Sequence, residues 1–112
     1  MIQIEETKKG HVHIVYLSGR LDNPAAHELV KKLTALIESG EQNILLNFEN
    51  LTYISSSGLR ALTGATQRMQ RKEGKLFLCS LKGLVKRVVV DITHFDKVLT
   101  IYETEEDALQ HF

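Results

Sequence analysis

Three consecutive serines, Ser55, Ser56 and Ser57, followed by Gly58 and Leu59, form the stretch of this sequence best suited to chemistry. They stand just ahead of a helical pattern. A serine in that place ordinarily caps the helix, its hydroxyl accepting a hydrogen bond from a free backbone N–H. One cap needs one hydroxyl, so the run holds more serines than capping requires. A phosphate attached there is favoured by the helix dipole and by the unpaired N–H groups of the first turn. The stretch can therefore carry a phosphate without unfolding the domain.

Other side chains offer less. No Gly-x-Ser-x-Gly elbow surrounds the serines, and no histidine or lysine is placed by sequence as their base. A Gly-x-x-x-x-Gly-Lys phosphate loop is also missing. No catalytic residue and no enzymatic activity are expected. His11 and His13, two apart on a strand, would share a face, yet without a third ligand nearby they read as a solvated strand face and not as a metal site. His27, His94 and His111 are scattered and read as surface residues. Cys79 sits inside an apolar strand, where it packs as a small hydrophobe; a lone cysteine makes neither a disulfide nor a cysteine-built zinc site. Arg68, Arg71 and Lys72 close a helix and suit its negative end, while Lys86 and Arg87 read as a solvated helix face.

The elements that position the serines follow from hydrophobic period and punctuation. The length of 112 residues fits one domain covering 1–112. Fourteen Lys+Arg balance fourteen Asp+Glu, and that neutrality speaks against a dedicated nucleic-acid binder. No apolar run is long enough to span or insert into a bilayer. The start Met1-Ile2-Gln3-Ile4-Glu5-Glu6 has no secretion-signal pattern, so a cytoplasmic location is expected. Ile2 and Ile4, a turn over Thr7-Lys8-Lys9-Gly10, and the alternation from Val12 to Leu17 predict a β-hairpin.

Asn23 as N-cap with Pro24 at the first helical position predicts a helix that ends at Gly40. Strands are expected over Asn43–Phe48 and Lys75–Ser80, with an edge strand over Val98–Tyr102. Helices are expected over about Ser57–Lys72 and Gly83–Ile92, and a last one is capped by Thr104. The order β-β-α-β-α-β-α-β-α predicts an α/β fold: a mixed, mostly parallel sheet of about five strands with about four helices. Parallel strands would bring Asp22-Asn23, Ser55-Ser56-Ser57 and Ser80–Lys82 to one rim, at the carboxyl ends of the strands.

The segment Leu17-Ser18-Gly19-Arg20-Leu21-Asp22 and the later Asn47-Phe48-Glu49-Asn50-Leu51-Thr52-Tyr53-Ile54-Ser55-Ser56-Ser57-Gly58-Leu59 together resemble the STAS domain of bacterial anti-sigma factor antagonists. The resemblance continues through Leu84-Val85-Lys86-Arg87-Val88 and Ile101–Leu109. In that family the central motif is commonly Asp-Ser-Ser/Thr-Gly-Leu, and the serine after the aspartate is phosphorylated by the anti-sigma factor, a serine kinase. The resemblance implies Ser56 as the acceptor, with Asp22, Asn23, Ser55, Ser57, Gly58 and Leu59 as the partner-binding rim. It also implies an anti-sigma factor with serine kinase activity as partner, with a phosphatase as a further one. No cofactor is implied, since ATP would be held by the kinase. Ser55 departs from the family's aspartate. That departure leaves a second expectation open: a constitutive STAS subunit of a larger assembly, such as a lipid-transport ATPase or a stress-signalling complex, in which Ser56 is never phosphorylated.

Overall fold

Isoleucines alternating with polar residues at the start of the chain form one face of a strand, and the fold builds outward from its hairpin. The computed structural model describes residues 2–112. Strand β1 (Ile2–Lys9) pairs antiparallel with β2 (Val12–Leu21), with Ile2 opposite Gly19 and Lys9 opposite Val12. The turn is tighter than the sequence predicts. Thr7, Lys8 and Lys9 all belong to β1, and only Gly10 and His11 turn, with Gly10 in the left-handed region at φ +61°. His11 therefore lies outside the strand and does not share a face with His13.

Three crossovers between parallel strands follow, the connection for which a right-handed path is the rule. Helix α1 (Asn23–Glu38) leads to β3 (Asn43–Ile54), α2 (Ser56–Arg71) to β4 (Lys75–Cys79), and α3 (Gly83–Lys86) to the edge strand β5 (Thr100–Tyr102). A final helix, α4, covers Glu105–Leu109. The five strands lie in the order β1-β2-β3-β4-β5, and all pairs after the hairpin are parallel. This is the expected mixed, mostly parallel α/β sheet, with four α-helices among the described residues.

Because the strand order is sequential, the crossover helices share one face of the sheet. Leu29 and Leu33 of α1, Leu62, Ala65 and Met69 of α2, and Val85 of α3 join Val15, Leu17, Leu46, Phe48 and Leu78 in the main core. On the opposite face, Ala108 of α4 covers Val12, Ile14, Leu45 and Cys79 in a smaller cluster. Cys79 is fully buried, and that burial pushes its thiol up to about 11. The thiol is thus protonated at neutral pH.

Three boundaries differ from the sequence reading. β3 runs to Ile54, well past Phe48, because its second half pairs with β2 after β4 has ended. The helix expected to Ile92 is α-helical only to Lys86 and then widens into a π-helical stretch, Arg87–Ile92. There the Thr93 N–H and hydroxyl both donate to the Val88 carbonyl, at 3.0 and 2.7 Å. Val98 closes a 3-10 turn, so β5 begins only at Thr100.

Candidate functional site

The rim at the carboxyl ends of β2 and β3 is shaped by two register shifts. Between the pairs Tyr16–Asn47 and Ser18–Asn50, and again between Gly19–Leu51 and Arg20–Tyr53, β3 carries one more residue than β2. Such bulges add twist and redirect a strand end. Thr52 donates its hydroxyl to the Gly19 carbonyl at 3.0 Å, and the Arg20 guanidinium lies 4.1 Å from the centre of the Tyr53 ring. The Ser55 N–H then donates to the Leu21 carbonyl at 2.9 Å. That bond sets the start of α2 beside the start of α1.

Both helices open with a side-chain cap. Asp22 caps α1, its Oδ1 accepting from the Ala25 N–H at 3.1 Å. Asn23, which the sequence suggested as the cap, is instead the first helical residue and is exposed. Asp22 and Asn23 are comparable caps and Pro24 is tolerated throughout the first turn, so the start can move by one residue. Ser55 caps α2, its Oγ accepting from the Gly58 N–H at 3.1 Å. Aspartate and serine rank together as N-caps. Serine where the resemblance implies an aspartate therefore keeps the local cap geometry and lacks only its charge.

The remaining serines differ in surroundings. Ser56 is the first residue of α2, is exposed, and its hydroxyl forms no hydrogen bond with the described residues. Ser57 is half-buried, and its hydroxyl accepts from Arg60 Nη2 at 3.3 Å. Gly58 is buried because α2 meets the strands there without room for a side chain. A Cβ would lie 2.9 Å from both Ile54 Cγ1 and Leu21 Cδ2. Leu59 is buried at 6% exposure and belongs to the main core. Both residues expected on the partner-binding rim are thus buried: Gly58 lets α2 seat closely against the strands, and the Leu59 side chain packs into the core.

Two grooves flank the rim. One, of about 330 Å³, lies between α1 and α2 and is lined by Ala26, His27, Val30, Ser57, Arg60 and Ala61. The other, of about 390 Å³, runs past Leu51 and Thr52 to Lys82 and the half-exposed Leu84. Sequence reading did not single out Arg60. The available signal was its position four residues after Ser56, one helical turn along the same face.

The opposite sheet face carries a polar latch. Glu105 at the start of α4 pairs with Lys9 at 2.7 Å and accepts from the buried Asn47 Nδ2 at 3.0 Å. Burial works to raise its carboxyl, but the hydrogen bonds from Lys9 and Asn47 prevail and hold it below the usual range. His13 lies 2.7 Å from Glu6, which also pairs with Lys32. No group of three metal-ligating side chains converges among the described residues. No helix among them is long and apolar enough to cross a membrane.

Comparison with known proteins fits this geometry. The profile of the family described as STAS domain matches residues 3–108. The Anti-sigma F factor antagonist of Paenibacillus polymyxa is 30% identical over 109 residues, covering 96% of this chain and 92% of the relative. Among solved structures, an anti-sigma factor antagonist from Mycobacterium paratuberculosis superposes with a TM-score of 0.89 at 22% identity, covering 99% of this chain and 93% of its own. The anti-sigma factor antagonist SpoIIAA in its unphosphorylated form gives 0.76 at 24% identity, covering 99% and 96%. At those identities the structural matches speak for the fold, while the profile match over nearly the whole chain speaks for descent. The chain belongs to the STAS domain family, and its relatives of similar length are anti-sigma factor antagonists.

Proposed function

We propose that the chain is an anti-sigma factor antagonist that acts by partner switching in the cytoplasm. Its unphosphorylated form binds an anti-sigma factor, a serine kinase, and so frees a sigma factor. Phosphorylation of Ser56 ends the binding, and a phosphatase restores it. The observation that carries the reading is the Ser56 hydroxyl, exposed and unbonded at the first position of α2 while Ser55 supplies the cap. The contact surface comprises the exposed Asn23 and Ser56 with the half-buried Asp22, Ser55 and Ser57 beside them, while Gly58 and Leu59 seat the helix from within.

The step transfers the γ-phosphoryl group of ATP held by the kinase. A bond forms from phosphorus to Ser56 Oγ, the bond to the β,γ-bridging oxygen breaks, ADP departs, and the hydroxyl proton passes to a base of the kinase. The modification adds about −1.5 to −2 charges. One like charge about 4 Å away costs roughly 4 kcal/mol at an effective dielectric of about 20, so binding falls about 1,000-fold. No change of fold is required.

A paired pull-down from the native organism tests the proposal, with wild type and Ser56→Asp as baits and mass spectrometry to identify partners. Capture of a small serine kinase by wild type alone supports the switch. Capture of the same membrane-transport components by both baits overturns it in favour of a static subunit.

A further inference from the structure

We propose that Arg60 is the intramolecular partner of a phosphate on Ser56, resting on the reading of Ser56 as the acceptor. Residues 56 and 60 lie four apart on α2 and are both exposed. Side chains at that spacing are neighbours on one helix face, with Cβ atoms about 6 Å apart. An acidic group N-terminal to a basic one is the favourable order for such a pair, and a phosphoserine at 56 stands N-terminal to Arg60.

The guanidinium already reaches back to the first turn, where Nη2 donates to Ser57 Oγ at 3.3 Å. That bond joins a charged donor to a neutral hydroxyl. A phosphate offers three charged oxygens to the same fork, and charge-assisted bonds of that kind are roughly twice as strong as neutral ones. No other cation competes from nearby on the helix. Arg60 is the only basic residue in Ser56–Gln67, while Arg68 is held by Thr34 at 2.9 Å and Lys72 by the Ile37 carbonyl at 3.3 Å, both farther along. Arg20, on the other side of the rim, is stacked over Tyr53.

Capture of the phosphate has a consequence for the switch. The guanidinium leaves Ser57 and the α1–α2 groove it lines with His27. Phosphorylation thereby adds an anion to the rim and draws a cation out of the adjoining groove in a single event.

The test uses the full chain with phosphoserine installed at position 56 by genetic-code expansion, so that neither kinase nor partner is needed. The second ionisation of the phosphate, near pH 6 in an unpaired phosphoserine, is followed by ³¹P NMR in wild type, Arg60→Gln and Arg60→Lys. The other ionisable groups on and beside this rim, Asp22, His27, Arg20, Tyr53 and Lys82, are the same in all three. The pairing predicts that Arg60→Gln raises the phosphate pKa by about 0.3 unit, about twofold in proton affinity, and that Arg60→Lys restores part of the difference. The Arg60 Nε–H resonance should also shift on phosphorylation of the otherwise unaltered chain, a readout that needs no variant. Equal phosphate pKa values in folded wild type and Arg60→Gln, with an unmoved Arg60 resonance, overturn the pairing. Failure of the phosphate to release a partner would instead count against the functional reading and leave the ³¹P result standing.

Discussion

Replacing Ser55 separates the two things its position supplies, a cap and the absence of a charge. Its Oγ lies 3.1 Å from the Gly58 N–H, one of the first-turn donors of α2 that has no partner within the helix. Ser55→Ala removes that acceptor and should cost about 1 kcal/mol. For a domain of this size 1 kcal/mol lowers the melting temperature by about 4 °C. Ser55→Asp keeps the cap and adds a carboxylate at the positive end of the helix, a gain of about 0.3–1 kcal/mol. The expected order in urea denaturation is Asp at or above Ser, then Gly a few tenths of a kcal/mol lower, then Ala. All four should share one m-value, since the native surface is unaltered. Ser55→Ala as stable as wild type would refute the cap, and with it the claim that serine substitutes for the family's aspartate without disturbing the site. Ser55→Asp destabilised by more than about 1 kcal/mol would show that the rim does not accept a charge there.

Gly58→Ala places a Cβ 2.9 Å from Ile54 and Leu21 side-chain atoms, and overpacking of this kind should cost about 1–3 kcal/mol in urea unfolding; a neutral result would mean that α2 is not seated as closely as described. Glu105→Ala removes the acceptor of the buried Asn47 amide and the partner of Lys9, for an expected loss of about 1–3 kcal/mol. Glu105→Gln isolates the charge. Because the folded carboxyl is held below its ordinary value, the stabilisation is present above the unfolded value of about 4.3 and is lost as pH falls through the folded one. The gap between wild type and Glu105→Gln should therefore be widest above about pH 5 and close on acidification, since Glu6 and the other carboxylates titrate alike in both. A gap independent of pH would contradict the latch. Thr66 is 6% exposed, and its hydroxyl has no partner among the described residues, so Thr66→Val should be neutral or stabilise by up to about 1 kcal/mol. A loss of that size in thermal unfolding would reveal a hydrogen bond at Thr66.

Most of the architecture is legible in the sequence because local signals and long-range packing agree. Apolar alternation in β1 and β2, the helical spacing of Leu29, Leu33 and Ile37, and the Thr104 cap each point to the element that forms. The departures occur where a neighbour decides the outcome. The apolar run that marks the strand in the sequence ends at Phe48, and Glu49–Tyr53 are mostly polar, yet they extend β3 because β2 offers a ladder beyond the end of β4. The choice of Asp22 over Asn23 as cap is a contest between two equivalent residues, settled by where the strand ends.

Within the site, residue types mark the serine run, but exposure distinguishes its members. Ser56 points outward, Ser57 is engaged by Arg60, and Leu59 turns into the core, as helical phase dictates once the helix starts at 56 and not at 57. The Glu105 latch lies beyond sequence reading altogether, since its partners Asn47 and Lys9 are 58 and 96 residues away.

The central claim is that one phosphate on Ser56 ends the binding of a serine kinase partner. Its most direct measurement is the affinity of that partner, isolated by the pull-down above, for the unmodified chain and for the chain carrying phosphoserine at 56, at one salt concentration. The account predicts a fall of about 1,000-fold, from the charge arithmetic of a single buried contact, and no such fall for phosphoserine placed at an exposed residue of the opposite sheet face such as Thr7. Equal affinities for the unmodified and Ser56-phosphorylated chains would contradict it and leave Ser56 as no more than an exposed first residue of α2.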